Sequence, residues 1–129
     1  MPRLKSAVPT FLVSDVENTA GWYQRQLGFT ASVFPDKPPH VYASLQRDGA
    51  EIMLLRQPGY KKEEIVRTGG AWDAYIRMDG VRQFCDEVRS RIALKTELTR
   101  QTYGDWEFEV RDPNGYVLVF GGFDGDKER

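Results

Sequence analysis

One cysteine, Cys85, and one histidine, His40, occur in the 129 residues, and each scarcity closes off a class of chemistry. A lone cysteine makes no disulfide within the chain and excludes zinc sites built on several thiolates, so a reducing cytoplasm is the expected address. A lone histidine cannot supply a two-histidine metal site. No apolar run approaches the roughly 18 residues of a membrane span. The opening MPRLKSAVPTFLV lacks a signal-peptide apolar segment with a small-residue cleavage site. Charge of one sign is missing as well. The formal net charge is -1 and the pI is near 5.9, with Lys and Arg scattered among Asp and Glu. No nucleic acid and no membrane is therefore expected as a partner. A phosphate-binding glycine loop, a dinucleotide fingerprint and a supportable Ser-His-Asp spacing are also absent.

What remains is 40% hydrophobic and 12% aromatic, enough for one compact unit with a real core. Ala7 to Val13 alternates and reads as a strand. Ser14 and Glu17 make an S-x-x-E capping box at a helix start. Val16, Ala20, Tyr23 and Leu27 then carry the apolar stripe of a helix lying on a sheet, and Gly28 ends it. Phe29 to Phe34, His40 to Gln46 and Glu51 to Leu55 read as strands, with Arg47-Asp-Gly turning tightly between the last two.

The plan then repeats. Trp72 to Met78 reads as a strand, and Asp79 is placed to cap a helix whose stripe is Val81, Cys85, Val88 and Ile92. These four lie 65 residues beyond Val16, Ala20, Tyr23 and Leu27, a match that points to duplication. A shorter strand is expected within Lys95 to Thr102. Trp106 to Arg111, the turn Asp112 to Gly115, and Tyr116 to Gly121 form a hairpin. The pairs Gly69-Gly70 and Gly121-Gly122 read as turns. The expectation is an α+β fold in a single domain over 1–129. It comprises a βαβββ module at about 5–57, a linker at about 58–70 with one helical turn, and a second module at about 71–124.

One helix covers one face of a sheet, so the other face must meet water, a partner or a ligand. Alternation places Val8, Thr10 and Leu12 there, with His40, Tyr42, Ser44 and Gln46, then Asp73, Tyr75 and Arg77, and finally Val117 and Val119. This mix of aromatics, hydroxyls and a few charges suits an organic molecule with polar edges.

The segments AVPTFLVSDVENTAGWYQRQLGF, YASLQRDGAEIMLL and WEFEVRDPNGYVLVFGG resemble the vicinal-oxygen-chelate superfamily of glyoxalases, extradiol dioxygenases and bleomycin-resistance proteins. The resemblance implies two βαβββ modules forming a curved mixed-sheet cup, commonly paired in a homodimer whose sheets enclose each ligand. It also implies metal ligands at the positions of Val8, Met53, Asp73 and Val119. Valine cannot coordinate, a methionine thioether is a poor ligand for hard cations, and Asp73 alone is too few. Neither metal nor cofactor is expected, and the departure points to the bleomycin-resistance-like branch, whose members bind drugs without transforming them.

Candidate ligand contacts are Phe34, His40, Tyr42, Ser44, Met53, Trp72, Asp73, Tyr75, Tyr103 and Trp106. Trp72 can stack on a flat ring or plug the rim of the cup, and drug-binding relatives present a tryptophan in a similar S/G-A-W setting. At least one of Tyr103 and Trp106 is expected at the mouth. Trp22 and Tyr23 read as core residues, and Phe34 as a lid aromatic or an edge filler. Arg77 reads as a partner for Glu107 or Glu109, and Cys85 as a buried thiol. Glu51 shares the face of Met53 and could bind an amine or act as a general base. The expected function is metal-free sequestration of an aromatic or peptide-like antibiotic. The rivals are an enzyme using Glu51, Asp73 or His40, and a module whose open sheet a protein partner covers.

Overall fold

The structure, a computed structural model, describes residues 1–63 and 72–123. The two periodicities of the sequence become ten elements among these residues. They are β1 (Thr10–Val13), α1 (Val16–Leu27), β2 (Thr30–Phe34), β3 (Tyr42–Arg47), β4 (Ala50–Arg56), β5 (Ala74–Arg77), α2 (Val81–Arg89), β6 (Thr96–Arg100), β7 (Trp106–Arg111) and β8 (Val117–Gly122). They form two four-stranded sheets ordered β1-β4-β3-β2 and β5-β8-β7-β6. In each, the first strand runs parallel to the fourth and the other pairs are antiparallel. This is α+β architecture in two βαβββ modules. The stripe of α1 is buried at Val16, Ala20, Tyr23 and Leu27, and that of α2 at Val81, Cys85 and Val88.

The modules join through their helix sides and hairpin turns. The Tyr116 ring stacks on Phe11 at 4.1 Å, and its hydroxyl donates to the Leu12 carbonyl at 2.7 Å. Tyr23, fully buried on α1, donates to Asp112 at 2.8 Å. The C-terminal carbonyls of α1 receive guanidinium donors from β3 and from beyond α2: Arg47 to Leu27 O at 2.7 Å and Arg91 to Gln26 O at 3.0 Å. Cations at that helix end also suit its dipole. Gly28 holds φ +73, and a Cβ there would lie 2.7 Å from Arg47 Nη1. Gly28→Ala is expected to cost about 1–2 kcal/mol from the left-handed backbone alone, read as a lower thermal midpoint.

Several local expectations are corrected. Asp15, not Ser14, caps α1 by accepting from the Asn18 N–H at 2.9 Å, and Glu17 instead receives the His40 N–H. Gly80, not Asp79, caps α2, with a left-handed backbone and no side-chain bond. Ile92 lies past the end of α2, half-buried against the core. Gly121 and Gly122 close β8 and are not a turn. β1 begins only at Thr10, because Pro9 has no N–H to give a ladder. Gly69-Gly70 and the linker from residue 64 onward lie outside the described residues.

Candidate functional site

Side chains in register on the face away from the helices build two unlike surfaces. On the first sheet, Leu12 pairs with Leu55, Leu55 with Tyr42, and Tyr42 with Phe34. One rung across all four strands is therefore apolar, and Leu12, Leu55 and Phe34 are exposed along it. The next rung is Thr10, Met53, Ser44 and Ser32. The one beyond contains Glu51, Gln46 and Thr30. Ser44 donates to Glu51 at 2.7 Å and accepts from Gln46 at 3.0 Å. The face thus grades from aromatic through hydroxyl to acidic.

On the second sheet the floor is Tyr75, Val119 and Glu109 in one rung and Arg77, Gly121 and Glu107 in the next. Trp72 sits just ahead of β5. Its indole N–H reaches Glu109 at 3.3 Å, and its ring lies 5.5 Å from that of Tyr75. Because Val119 stands between those two residues in register, the indole lies across it, and Val119 is fully buried. Trp72 keeps 40% of its own surface exposed, so it forms a platform with one side supported. Lys95 bridges Glu109 at 3.1 Å and fixes the support.

Tyr75 and Tyr103 both donate to Oε2 of Glu107, the former at 2.6 Å. Gly121 makes this possible. A Cβ there would sit 2.1 Å from the Tyr75 hydroxyl and 2.9 Å from Glu107 Cγ, so only a glycine lets the phenol lie against the sheet. Burial and then the Glu107 carboxylate push the Tyr75 phenol well above its ordinary value. The hydrogen bond to Glu107, followed by burial, raises Tyr103 to about 12. A phenol raised in the folded state contributes stability that is complete below pH 10, its ordinary value, and is lost as pH rises through about 12. Alkaline titration at 295 nm should show Tyr103 protonated at pH 11, and Glu107→Gln should bring its midpoint back toward the ordinary value.

The structure brings Trp72, Tyr75 and Tyr103 together on this face, and Phe34, Tyr42, Ser44 and Met53 on the other. Trp106 stands on the helix side of β7, its ring 4.7 Å from the Arg82 guanidinium and its Nε1 buried without an acceptor. His40 is tied into the loop after β2: its N–H goes to Glu17, and Nδ1 lies 2.7 Å from the Pro35 carbonyl. Phe34, at the other end of that loop, is 67% exposed. Asp73 is spent on structure, accepting from the Val117 N–H at 2.8 Å and facing Lys62 at 3.4 Å. Arg77 pairs with Asp105 at 3.3 Å and covers the Tyr75 ring at 5.3 Å, not with Glu107 or Glu109. Burial raises the Cys85 thiol, which keeps it a poor nucleophile.

Sequence reasoning named Glu107 and Glu109 only as partners for Arg77, not as ligand contacts, and missed Gly121 as part of this surface. The signal was available in W-E-F-E-V, where both carboxylates must oppose Phe108 and Val110. A cleft of about 790 Å³ opens beside the first strand of the second sheet, between the β3–β4 turn and α2. It takes in Tyr75, Arg77 and Glu51 but not Trp72 or Tyr103, so it is separate from the platform apart from Tyr75. Among the described residues no three His, Cys, Asp or Glu side chains gather as a metal site. The four family ligand positions do not fit a catalytic cation: Val8 and Val119 have no donor atom, Met53 offers only a thioether, and the Asp73 carboxylate is already engaged. Among the described residues, no helix is long and apolar enough to cross a membrane.

The family model described as Glyoxalase/Bleomycin resistance protein/Dioxygenase superfamily matches residues 5–120. No curated protein matches the chain. Among solved structures, TioX from Micromonospora sp. ML1 is similar at 18% identity and a TM-score of 0.73, covering 92% of this chain and 98% of its own. A glyoxalase-related enzyme from Clostridium phytofermentans gives 13% and 0.76, covering 95% and 97%. A bleomycin-binding protein from Streptomyces verticillus, complexed with copper(II)-bleomycin, gives 19% and 0.68, covering 98% and 100%. At these identities the likeness shows the fold alone.

Proposed function

The chain belongs to the Glyoxalase/Bleomycin resistance protein/Dioxygenase superfamily, and within it we propose a protein that holds a small aromatic or peptide-like natural product without transforming it. The observation that carries this reading is the Trp72 platform. An indole supported from below by Val119, Glu109 and Tyr75 offers a flat apolar surface at little entropic cost. Phe34 and Tyr42 on the first sheet add aromatic area. Similarity to a bleomycin-binding protein supports the same reading.

Sequestration needs affinity and enough protein to match the compound, so self-resistance or handling of the compound in the cytoplasm is the role proposed. A homodimer goes with it: a second copy would cover the exposed Leu12 and Leu55. The test is titration of chelator-treated protein with aromatic and glycopeptide antibiotics, followed by tryptophan fluorescence. Saturable quenching near one ligand per chain is expected. A response that appears only after a divalent metal is restored would overturn the metal-free assignment.

A further inference from the structure

Glu107 is 5% exposed, and a buried carboxylate is costly unless strong donors compensate it. Two phenols donate to its Oε2, and they are held very differently. Tyr75 rests on the sheet over Gly121, with Arg77 above its ring and Trp72 beside it. Tyr103 reaches in from the turn before β7 and is 63% exposed. Its ring already meets water, so removing it from Glu107 uncovers little apolar surface. The neighbouring Glu109 is engaged by Lys95 and by the Trp72 indole. Of the two carboxylates beside the platform, Glu107 is thus the one whose partner can be exchanged.

Resting on the binding reading above, we infer that the ligand is cationic, presenting a protonated amine or amidine to Glu107 in place of the Tyr103 phenol while its ring lies on Trp72. A charged N–H donor forms a stronger bond to a carboxylate than a neutral phenol does, and the low dielectric of the floor enlarges the difference. A cation beside the ring also gains from the exposed face of Trp72. Tyr103 is then a placeholder that satisfies Glu107 in the empty protein. Gly121 is a positioning residue, because Tyr75 keeps its place on Glu107 only over a glycine.

Two flat probes of the same shape separate this inference from the broader one: 9-aminoacridine, a cation at neutral pH, and acridine, uncharged there. Equilibrium dialysis of the full chain should show the cation bound about tenfold more tightly than acridine. Glu107→Gln should bring that ratio close to one, and Tyr103→Phe should widen it several-fold by freeing the carboxylate. Equal affinities in the unaltered protein, a ratio that survives Glu107→Gln, or a ratio that shrinks in Tyr103→Phe would each overturn the inference. Acridine bound as well as its cationic partner would leave sequestration standing and remove only the cationic class. Failure of both probes to bind at millimolar concentration would remove both readings.

Discussion

Trp72→Ala is expected to weaken binding of a compound that quenches the protein by about thirtyfold, close to 2 kcal/mol, with stoichiometry at saturation unchanged. A central aromatic anchor commonly carries this much because it supplies large rigid area with few rotatable bonds. Here the anchor is held in place before the ligand arrives, through Glu109 and its Lys95 bridge on one side and Tyr75 on the other. Trp72→Phe should recover part of the loss, since a smaller ring still covers Val119. The chain should remain folded, because Trp72 lies outside the core cluster. Calorimetric titration beside a thermal melt separates the two effects. Unchanged affinity in a folded Trp72→Ala protein would move the ligand off the second sheet.

The largest stability effect is expected at Asp112, which touches no candidate ligand surface. Its carboxylate is buried at the joint of the modules and receives three donors. These are the Tyr23 hydroxyl at 2.8 Å, the Asn114 N–H at 2.8 Å and the Tyr116 N–H at 3.0 Å. Asp112→Ala leaves all three without a partner, the Tyr23 hydroxyl and the Tyr116 N–H in buried positions, costing about 3 kcal/mol or more. The thermal midpoint should fall by roughly 10 °C for a domain of this size. Tyr23→Phe removes one donor and its bond together, so it should cost about 1 kcal/mol. A small shift in Asp112→Ala would mean that the carboxylate does not organise the joint.

These residues show what was legible in the sequence. The stripe of α1 is a statement about which face is dry, and burial enforces it: Val16, Ala20, Tyr23 and Leu27 are all in the core, whereas β8 is buried at every position and its alternation marks only which face each side chain takes. Element ends were less legible, because several residue types can satisfy the same orphan N–H group. Ser14 and Asp15 are both good caps, and only three-dimensional placement gives Asn18 to Asp15 and Glu17 to His40. Gly121-Gly122 looked like a turn because glycine has two uses. Here it admits close neighbours, the Tyr75 hydroxyl at Gly121 and the Met78 carbonyl at Gly122.

The site was half legible. Period-two alternation separated the open face from the helix face, and Tyr75 lies where it predicts. Whether a residue on that face is available depends on neighbours far away in sequence. Asp73 has the right alternation but is taken by Lys62 and the start of β8, and Arg77 is turned aside to Asp105. Glu107 gains its character from Tyr75, Tyr103 and Gly121, which stand 32, 4 and 14 residues from it. Local pattern does not record such a meeting.

The central claim is that this face holds a compound and leaves it unchanged, and the most direct measurement is the mass of the bound compound after prolonged contact. Chelator-treated protein is incubated with an excess of whichever compound quenches it, then denatured, and the compound is recovered and weighed by mass spectrometry. The account predicts full recovery at the original mass. A new mass that accumulates beyond one equivalent per chain, and is lost in Glu51→Gln, would contradict it and make the protein an enzyme of its family.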